Sequence, residues 1–276
     1  MRTIDNTIKY IELLMSYDDT SQYINYELPE GYHCEYYKPG DEIEWAEIQV
    51  STAGFSSIDK ALETFHKYFD YFIDELNKRC LFIVEDSTNK KIGTVTISLL
   101  EKEEKGYQAA VDWVAIRDEY QGRKLARPLI TKCIALANEL GHKKIILHTQ
   151  TTTWLAAKLY LDAGFEPLNK EEIVGWKILK RLTNHPKLNS YDLATDEEMY
   201  DLRNIAIQKE LDKIYEPNTY NFSEWHKDGL HNVYVYHDGK SDEYEYFIDD
   251  NHIRLDKINK EDNYERIKSN KWEWPI

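Results

Sequence analysis

The chain has 276 residues, 42% of them hydrophobic, and a formal net charge of −15. Its length exceeds the commonest single-domain size, so we expect one full domain with a smaller appended unit. The acidic balance argues against nucleic-acid binding, whose affinity comes largely from Lys and Arg neutralising phosphates. Because no stretch approaches the roughly 18 apolar residues of a membrane span, and residues 1–10 lack a signal-peptide pattern, we expect a cytoplasmic protein without a membrane partner.

The three cysteines, Cys34, Cys80 and Cys133, are odd in number and far apart in apolar patterns. This usage is typical of reduced thiols in a core rather than of disulfides or a zinc site. The sequence therefore predicts no metal.

The segment before residue 28 fits both a helix and a strand. Ile4, Ile8, Ile11 and Leu14 recur at helical spacing, while residues 9–15 also fit a strand. We leave the choice open and treat residues 1–27 as an N-terminal extension.

From residue 28 the pattern is clearer, with strands predicted at 32–37, 81–85, 91–100 and 108–116 and helices at 42–50 and 58–78. Ser57 is placed to cap the second helix. The polar run 101–105 reads as a solvated hairpin loop. Three consecutive strands favour antiparallel neighbours.

The pattern then changes to helices alternating with strands. A long helix is expected from Lys124 or Leu125 to Leu140, with Gly141 as its C-terminal stop. A strand at 143–148, a helix at 154–163 and a last strand at 173–182 follow. This order predicts an α+β domain over residues 28–182, with a mixed, mostly antiparallel central sheet flanked by helices.

The segment between the strand that ends near Ile116 and the long helix carries the chemistry. A helix start offers unpaired backbone N–H groups and a partial positive charge, so a glycine-containing turn before it suits a pyrophosphate. Gly122 lets the backbone approach such a ligand. The residues of the turn are Gln121, Gly122, Arg123, Lys124, Leu125 and Ala126.

This stretch resembles the acetyl-CoA motif of the GCN5-related N-acetyltransferase family, Gln/Arg, any, any, Gly, any, Gly/Ala. Gln121 and Ala126 match its ends, and Lys124 stands where the family usually has glycine. We expect Lys124 to be a helical residue with its side chain turned outward and its N–H still available. A later helix signature of the family, in which Thr153 replaces an asparagine, is matched by Ala156, Leu159, Tyr160, Gly164 and Phe165.

The resemblance implies a fold, a co-substrate and several roles. The co-substrate is acetyl-CoA, with Gln121 to Ala126, Thr153 and Tyr160 at its binding site. The backbone of Val114, Ala115 and Ile116 would bind the pantetheine arm like an added strand, with the thioester near Val114. Tyr160 would protonate the departing thiolate as a general acid.

The general base is left open by the sequence. Asp112 shares a strand face with Val114 and Ile116 by alternation, and His148 ends the following strand, so both are candidates. A chain of water molecules is the third candidate.

Residues 183–276 have their own pattern and no family resemblance. They hold 21 acidic and 12 basic residues, a net charge of −9. The sequence predicts a small α+β unit of unknown role, with a helix at 196–214 and strands at 232–237, 244–248 and 252–255. Trp272 and Trp274 close the sequence beside Pro275.

The leading hypothesis is an acetyl-CoA-dependent N-acetyltransferase acting on an amine of a small molecule or peptide. The alternatives are a CoA-binding or CoA-sensing module without turnover, and a partner-binding protein that acts through residues after Thr183. The acceptor amine stays unidentified, and a homodimer is only the commonest state for such enzymes.

Overall fold

The computed structural model describes residues 4–52, 54–55, 57–101, 107–227, 230–237, 240–249 and 252–258. Residues 8–199 form one compact unit, and the described parts of 1–7 and 200–276 form a second. In this part of the chain, no helix is both long and apolar enough to cross a membrane. Residues 102–105 of the loop predicted at 101–105, and the aromatic pair Trp272 and Trp274, lie outside the described residues.

The first unit is built on a seven-stranded sheet with the order β2-β3-β4-β5-β6-β1-β7. All neighbouring strands are antiparallel except β5 and β6. Its strands are β1 (Glu12–Tyr17), β2 (Tyr32–Tyr36), β3 (Cys80–Glu85), β4 (Lys90–Glu101), β5 (Tyr107–Ile116), β6 (Ile145–Gln150) and β7 (Glu166–Pro167).

Helices cover this sheet, and apolar side chains separate into two cores. One core contains Leu129, Cys133 and Trp176, and the other contains Trp45, Phe65 and Phe69. The helices are α1 (Glu42–Ser51), α2 (Ile58–Phe69), α3 (Leu76–Arg79), α4 (Ala126–Glu139), α5 (Trp154–Ala163), α6 (Ile173–Thr183) and α7 (Asp196–Met199). The predicted mixed, mostly antiparallel α+β fold is confirmed.

Several local predictions are confirmed. The open choice before residue 28 resolves to strand β1, which pairs with β6 and β7. Gly141 has a φ of 81° and follows α4 as its stop, and Ser57 caps α2 by accepting a hydrogen bond from the Lys60 N–H.

The last predicted strand, at 173–182, is wrong, because this segment is helix α6. Its buried residues Gly175, Trp176, Ile178 and Leu179 recur at three- and four-residue intervals, which is a helical stripe rather than an alternation. The sheet position beside β6 is filled by β1 instead.

The predicted helix at 58–78 is also too long. Phe72 departs from helical geometry with a φ of −139°, so α2 ends at Phe69 and is followed by a 3₁₀ turn and α3.

The second unit consists of one helix and a four-stranded antiparallel sheet with the order β11-β10-β9-β8. The predicted helix at 196–214 is divided, because Asp201 leaves the helical conformation and its carboxylate caps a new helix. Strand β8 was not predicted, whereas the other three strands were. The elements are α8 (Leu202–Leu211), β8 (Asn221–Lys227), β9 (Leu230–His237), β10 (Lys240–Asp249) and β11 (His252–Lys257).

Candidate active site

The candidate site begins where β5 and β6 separate. These strands pair in parallel at Ala110 and Ile146, and no further pairing between them follows in the described residues. Two positions further along each strand stand Asp112 and His148, which a continued register would place opposite each other on one sheet face. They are close enough for the His148 charge to act on the pKa of Asp112. We call this opening the fork.

A β-bulge shapes the β5 arm of the fork. Thr94 pairs with Ala115 and Thr96 pairs with Asp112, so two residues of β5, Trp113 and Val114, oppose one residue of β4. Trp113 has a φ of 57°, a conformation that a bulky residue adopts only at a cost.

Contacts around Trp113 hold this bulge. The Gln49 side chain donates a hydrogen bond to the Trp113 carbonyl at 3.1 Å. The indole packs edge-on against Trp45 at a centroid distance of 5.2 Å and stacks on Phe55 at 5.9 Å. These groups fix the backbone immediately before Val114.

Beyond the bulge, β5 has one edge paired and one edge turned to the fork. Ala115 and Ile116 pair with Thr94 and Gly93 of β4. The opposite edge lies where β6 has separated from β5, so its backbone groups are placed to pair with an extended ligand.

The loop after β5 leads to the start of α4, which we call the cradle (residues 121–127). Gly122 and Lys124 both have positive φ values, of 76° and 63°. Helix α4 begins at Ala126, and its N-cap residue Leu125 offers no capping side chain. Its first N–H groups therefore form an anion-binding helix start with no acidic residue in the first turn.

The cradle corrects two expectations. The helix starts one or two residues later than predicted, and Lys124 is a left-handed loop residue rather than a helical one. The reason is that Lys124 reproduces the backbone conformation that glycine adopts readily.

The side chains of the cradle fasten the loop rather than converge on one point. Arg123 donates hydrogen bonds to the Tyr32 hydroxyl at 3.0 Å and the Glu119 carbonyl at 3.1 Å. Gln121 donates to the Ile116 carbonyl and the Asp118 carboxylate. Leu125 is buried, whereas Arg123, Lys124 and Arg127 are exposed beside the backbone of the cradle.

These features can be compared with known proteins. Residues 43–165 match the Acetyltransferase (GNAT) family. This part of the chain is a GNAT acetyltransferase domain. No curated protein is similar enough to count as a match.

Solved structures of GNAT proteins are similar to this domain. A GCN5-related N-acetyltransferase from Sphaerobacter thermophilus is 20% identical with a TM-score of 0.46, and the match covers 59% of this chain and 49% of that one. A GNAT acetyltransferase from Colwellia psychrerythraea is 12% identical with a TM-score of 0.45, covering 59% and 55%. The chain thus spans about half the length of these two structures.

Within the GNAT domain, Tyr160 is a buried residue of α5. Its ring packs edge-on against Phe165 at 5.9 Å. Burial raises the pKa of the phenol, and the nearby Cys133 and Asp112 raise it further. The hydroxyl is therefore neutral and carries a proton at physiological pH.

Asp112 is half-buried on the fork. Burial raises the pKa of its carboxyl, while a hydrogen bond with Ser98 and the charge of His148 act in the opposite direction. It is thus a carboxylate whose ionised form is disfavoured by its surroundings.

His148 and Thr153 have different settings. The His148 Nδ1 lies 2.6 Å from Glu12 Oε1, and the imidazole is 45% exposed. Thr153 precedes α5, and its hydroxyl donates to the Gln150 carbonyl at 3.2 Å. The structure brings His148 to the fork with Asp112, whereas the Thr153 hydroxyl makes a local contact three residues away.

Sequence reasoning missed three residues of the fork. Glu12 lies outside the residues that match the GNAT family, in the segment whose sequence pattern fits both a helix and a strand. Gln49 and Trp113 had no distinctive spacing, because a bulge is marked by register and not by residue type. In the described ranges, no three His, Cys, Asp or Glu residues come together as a metal site.

Proposed function

We propose that this chain is an N-acetyltransferase that moves the acetyl group of acetyl-CoA to an amine of a small molecule or peptide. The observation that carries the proposal is the fork of a GNAT domain, which has a bulged strand on one arm and a carboxylate and an imidazole across its opening. Arabidopsis glucosamine-6-phosphate N-acetyltransferase is a solved structure that matches 43% of this chain at 15% identity, with a TM-score of 0.32.

Acetyl-CoA fits the residues present. Its pyrophosphate would accept hydrogen bonds from the cradle N–H groups of Gly122 to Ala126, where the α4 dipole favours negative charge. Its pantetheine arm carries amide groups, which would pair with backbone groups of Val114, Ala115 and Ile116 on the edge of β5 that faces the fork. Thr153 would border this site at the start of α5.

The bulge would place and polarise the thioester. Attack of an amine on the thioester carbonyl builds negative charge on its oxygen. A backbone N–H at Val114, held by the Gln49 bond and the indole packing of Trp113, would stabilise that charge by about 3 kcal/mol, which is typical of one preorganised donor.

Tyr160 would act as the general acid. When the carbon–sulfur bond breaks, sulfur leaves as a thiolate that needs a proton. The buried phenol holds a proton across the physiological pH range, and burial raises its pKa further above that range. It can therefore supply that proton and regain one from solvent.

The amine must lose a proton as its bond to the acetyl carbon forms. We propose that the pair formed by Asp112 and His148 takes it up, because both groups border the fork and interact electrostatically. A carboxylate at this point also favours the approach of a positively charged acceptor. Cytoplasmic location and a homodimeric state stay predictions from the sequence.

The test is thermal unfolding with and without acetyl-CoA, followed by thiol release across a panel of primary amines. A melting temperature that rises with acetyl-CoA concentration, together with amine-dependent thiol release, is the expected result. A shift without release from any amine would favour a CoA-binding module. No shift at millimolar acetyl-CoA would reject the proposal.

A further inference from the structure

Glu12 reaches the fork from a strand that the family match does not include. It lies on β1, which pairs with β6 so that Leu14 is opposite His148 and Glu12 is opposite Gln150. Glu12 and His148 are therefore diagonal neighbours on one face of the sheet. Their side chains meet at 2.6 Å between Oε1 and Nδ1.

This contact fixes which imidazole nitrogen carries the proton. An ionised carboxylate can only accept hydrogen bonds, so Nδ1 must be the donor. In the neutral imidazole the lone pair is then on Nε2. Because β1 and β5 flank β6 on opposite sides, an imidazole with Nδ1 turned to β1 leaves Nε2 on the side away from Glu12.

We propose that Glu12 is a positioning residue that holds His148 with Nε2 directed at the fork, so that Nε2 accepts the proton of the acceptor amine. The inference rests on the proposed acetyl transfer. As the nitrogen–carbon bond forms, the amine proton passes to Nε2, and the carbon–sulfur bond breaks as Tyr160 protonates the sulfur. The resulting imidazolium is stabilised by the Glu12 carboxylate, 2.6 Å from Nδ1, and by its electrostatic interaction with Asp112.

A second pair in the same sheet provides a matched control. His33 Nδ1 lies 2.6 Å from Asp86 Oδ1, and this imidazole is also 45% exposed. The pair joins β2 to the residue that follows β3, and β3 is three positions from β6 in the sheet order. Asp86→Ala therefore removes a similar contact at residues that belong to neither the fork nor the cradle.

Steady-state kinetics provide the first test. Glu12→Ala is expected to lower kcat about tenfold, a part of the 10²–10⁴-fold that a positioned base supplies, with no change in the acetyl-CoA-dependent rise in melting temperature. Glu12→Gln keeps a hydrogen-bond acceptor and should lose less. Asp86→Ala should match the unaltered enzyme. Unchanged turnover in Glu12→Ala, or a loss accompanied by weaker acetyl-CoA binding, would overturn the proposal.

Nuclear magnetic resonance of ¹⁵N-histidine-labelled protein provides a test that needs no acceptor. Neutral His148 should carry its proton on Nδ1 in the unaltered chain and shift toward Nε2 in Glu12→Ala, while His33 stays unchanged. A His148 that already carries its proton on Nε2 would refute the positioning role. If acetyl-CoA fails to bind at all, the acetyltransferase proposal falls, and this spectrum still decides what Glu12 does.

Discussion

The bulge at Trp113 and the cradle at Lys124 both place an L-residue in the left-handed region, and they hold it there by different means. Rings of Trp45 and Phe55 and the Gln49 amide surround Trp113. Lys124 is exposed, and its left-handed backbone conformation is set by the loop residues before and after it. Ring packing therefore maintains the strained strand beside the proposed reaction centre, whereas the strained loop of the cradle is held by side-chain hydrogen bonds of Gln121 and Arg123.

The largest effect should come from removing the packing at the bulge. Trp113→Ala is expected to lower the free energy of unfolding by about 3 kcal/mol, because it deletes a half-buried indole from an aromatic core. Turnover should fall as the strand relaxes. Urea unfolding measures the first effect and thiol release the second. Tyr68→Ala, which deletes an exposed ring that touches the same indole, should cost less, and equal losses would show that the bulge does not depend on Trp113.

Tyr160 is the proposed general acid. Tyr160→Phe keeps the ring and its packing, so turnover should fall about 100-fold while acetyl-CoA binding persists. Thiol release and the acetyl-CoA melting shift separate the two quantities. Equal turnover would remove Tyr160 from the mechanism.

Substitution of Asp112 tests whether a group proposed to act in catalysis lowers the stability of the folded chain. The folded pKa of Asp112 is raised above the unfolded value, so the folded state binds more protons and stability falls as the pH rises through the carboxyl range. Asp112→Asn should therefore be more stable than the unaltered chain at pH 7, with the difference disappearing below the unfolded pKa of about 4. Chemical unfolding at pH 3.5 and pH 7 checks this, and activity should fall despite the gain.

The smallest effect should appear at the cradle. Lys124→Gly removes the cost of holding a non-glycine residue in the left-handed conformation, about 1–2 kcal/mol. It adds about 0.5–1 kcal/mol for the larger backbone entropy that glycine loses on folding. The free energy of unfolding is therefore expected to rise by about 0.5–1 kcal/mol. Lys124→Ala keeps the penalty and should give no gain. A melting temperature lowered by the glycine variant alone would mean that the lysine side chain stabilises the loop.

Much of the fold could be predicted, because amphipathic stripes and turn residues act locally. Helix α5 (Trp154–Ala163) and the glycine stop of α4 are examples. The prediction of a strand at 173–182 was wrong because a short apolar run fits both the helical and the strand periodicity. The placement of β1 beside β6 depends on pairing over more than 120 residues, which a local pattern does not encode.

The residues of the candidate site also divide into those that a local pattern predicts and those that it does not. A contiguous motif marked the cradle, and the end of a predicted strand marked His148. The expected alternation that put Asp112 on one face with Val114 and Ile116 is wrong, because the bulge at Trp113 puts Ala115 on the Asp112 face instead. Glu12 and Gln49 reach the fork from distant segments and could be found only from the folded chain. The left-handed Lys124 was missed because lysine ordinarily continues a helix.

The location of β1 also affects the order in which the chain can fold during synthesis. Glu12–Tyr17 leaves the ribosome well before its partner Ile145–Gln150. At roughly 5–20 residues per second, this strand waits on the order of 10 s with its edges unpaired. During that time the nascent chain exposes a β-strand rich in apolar residues, and a chaperone that binds this strand would set the moment at which the fork is completed.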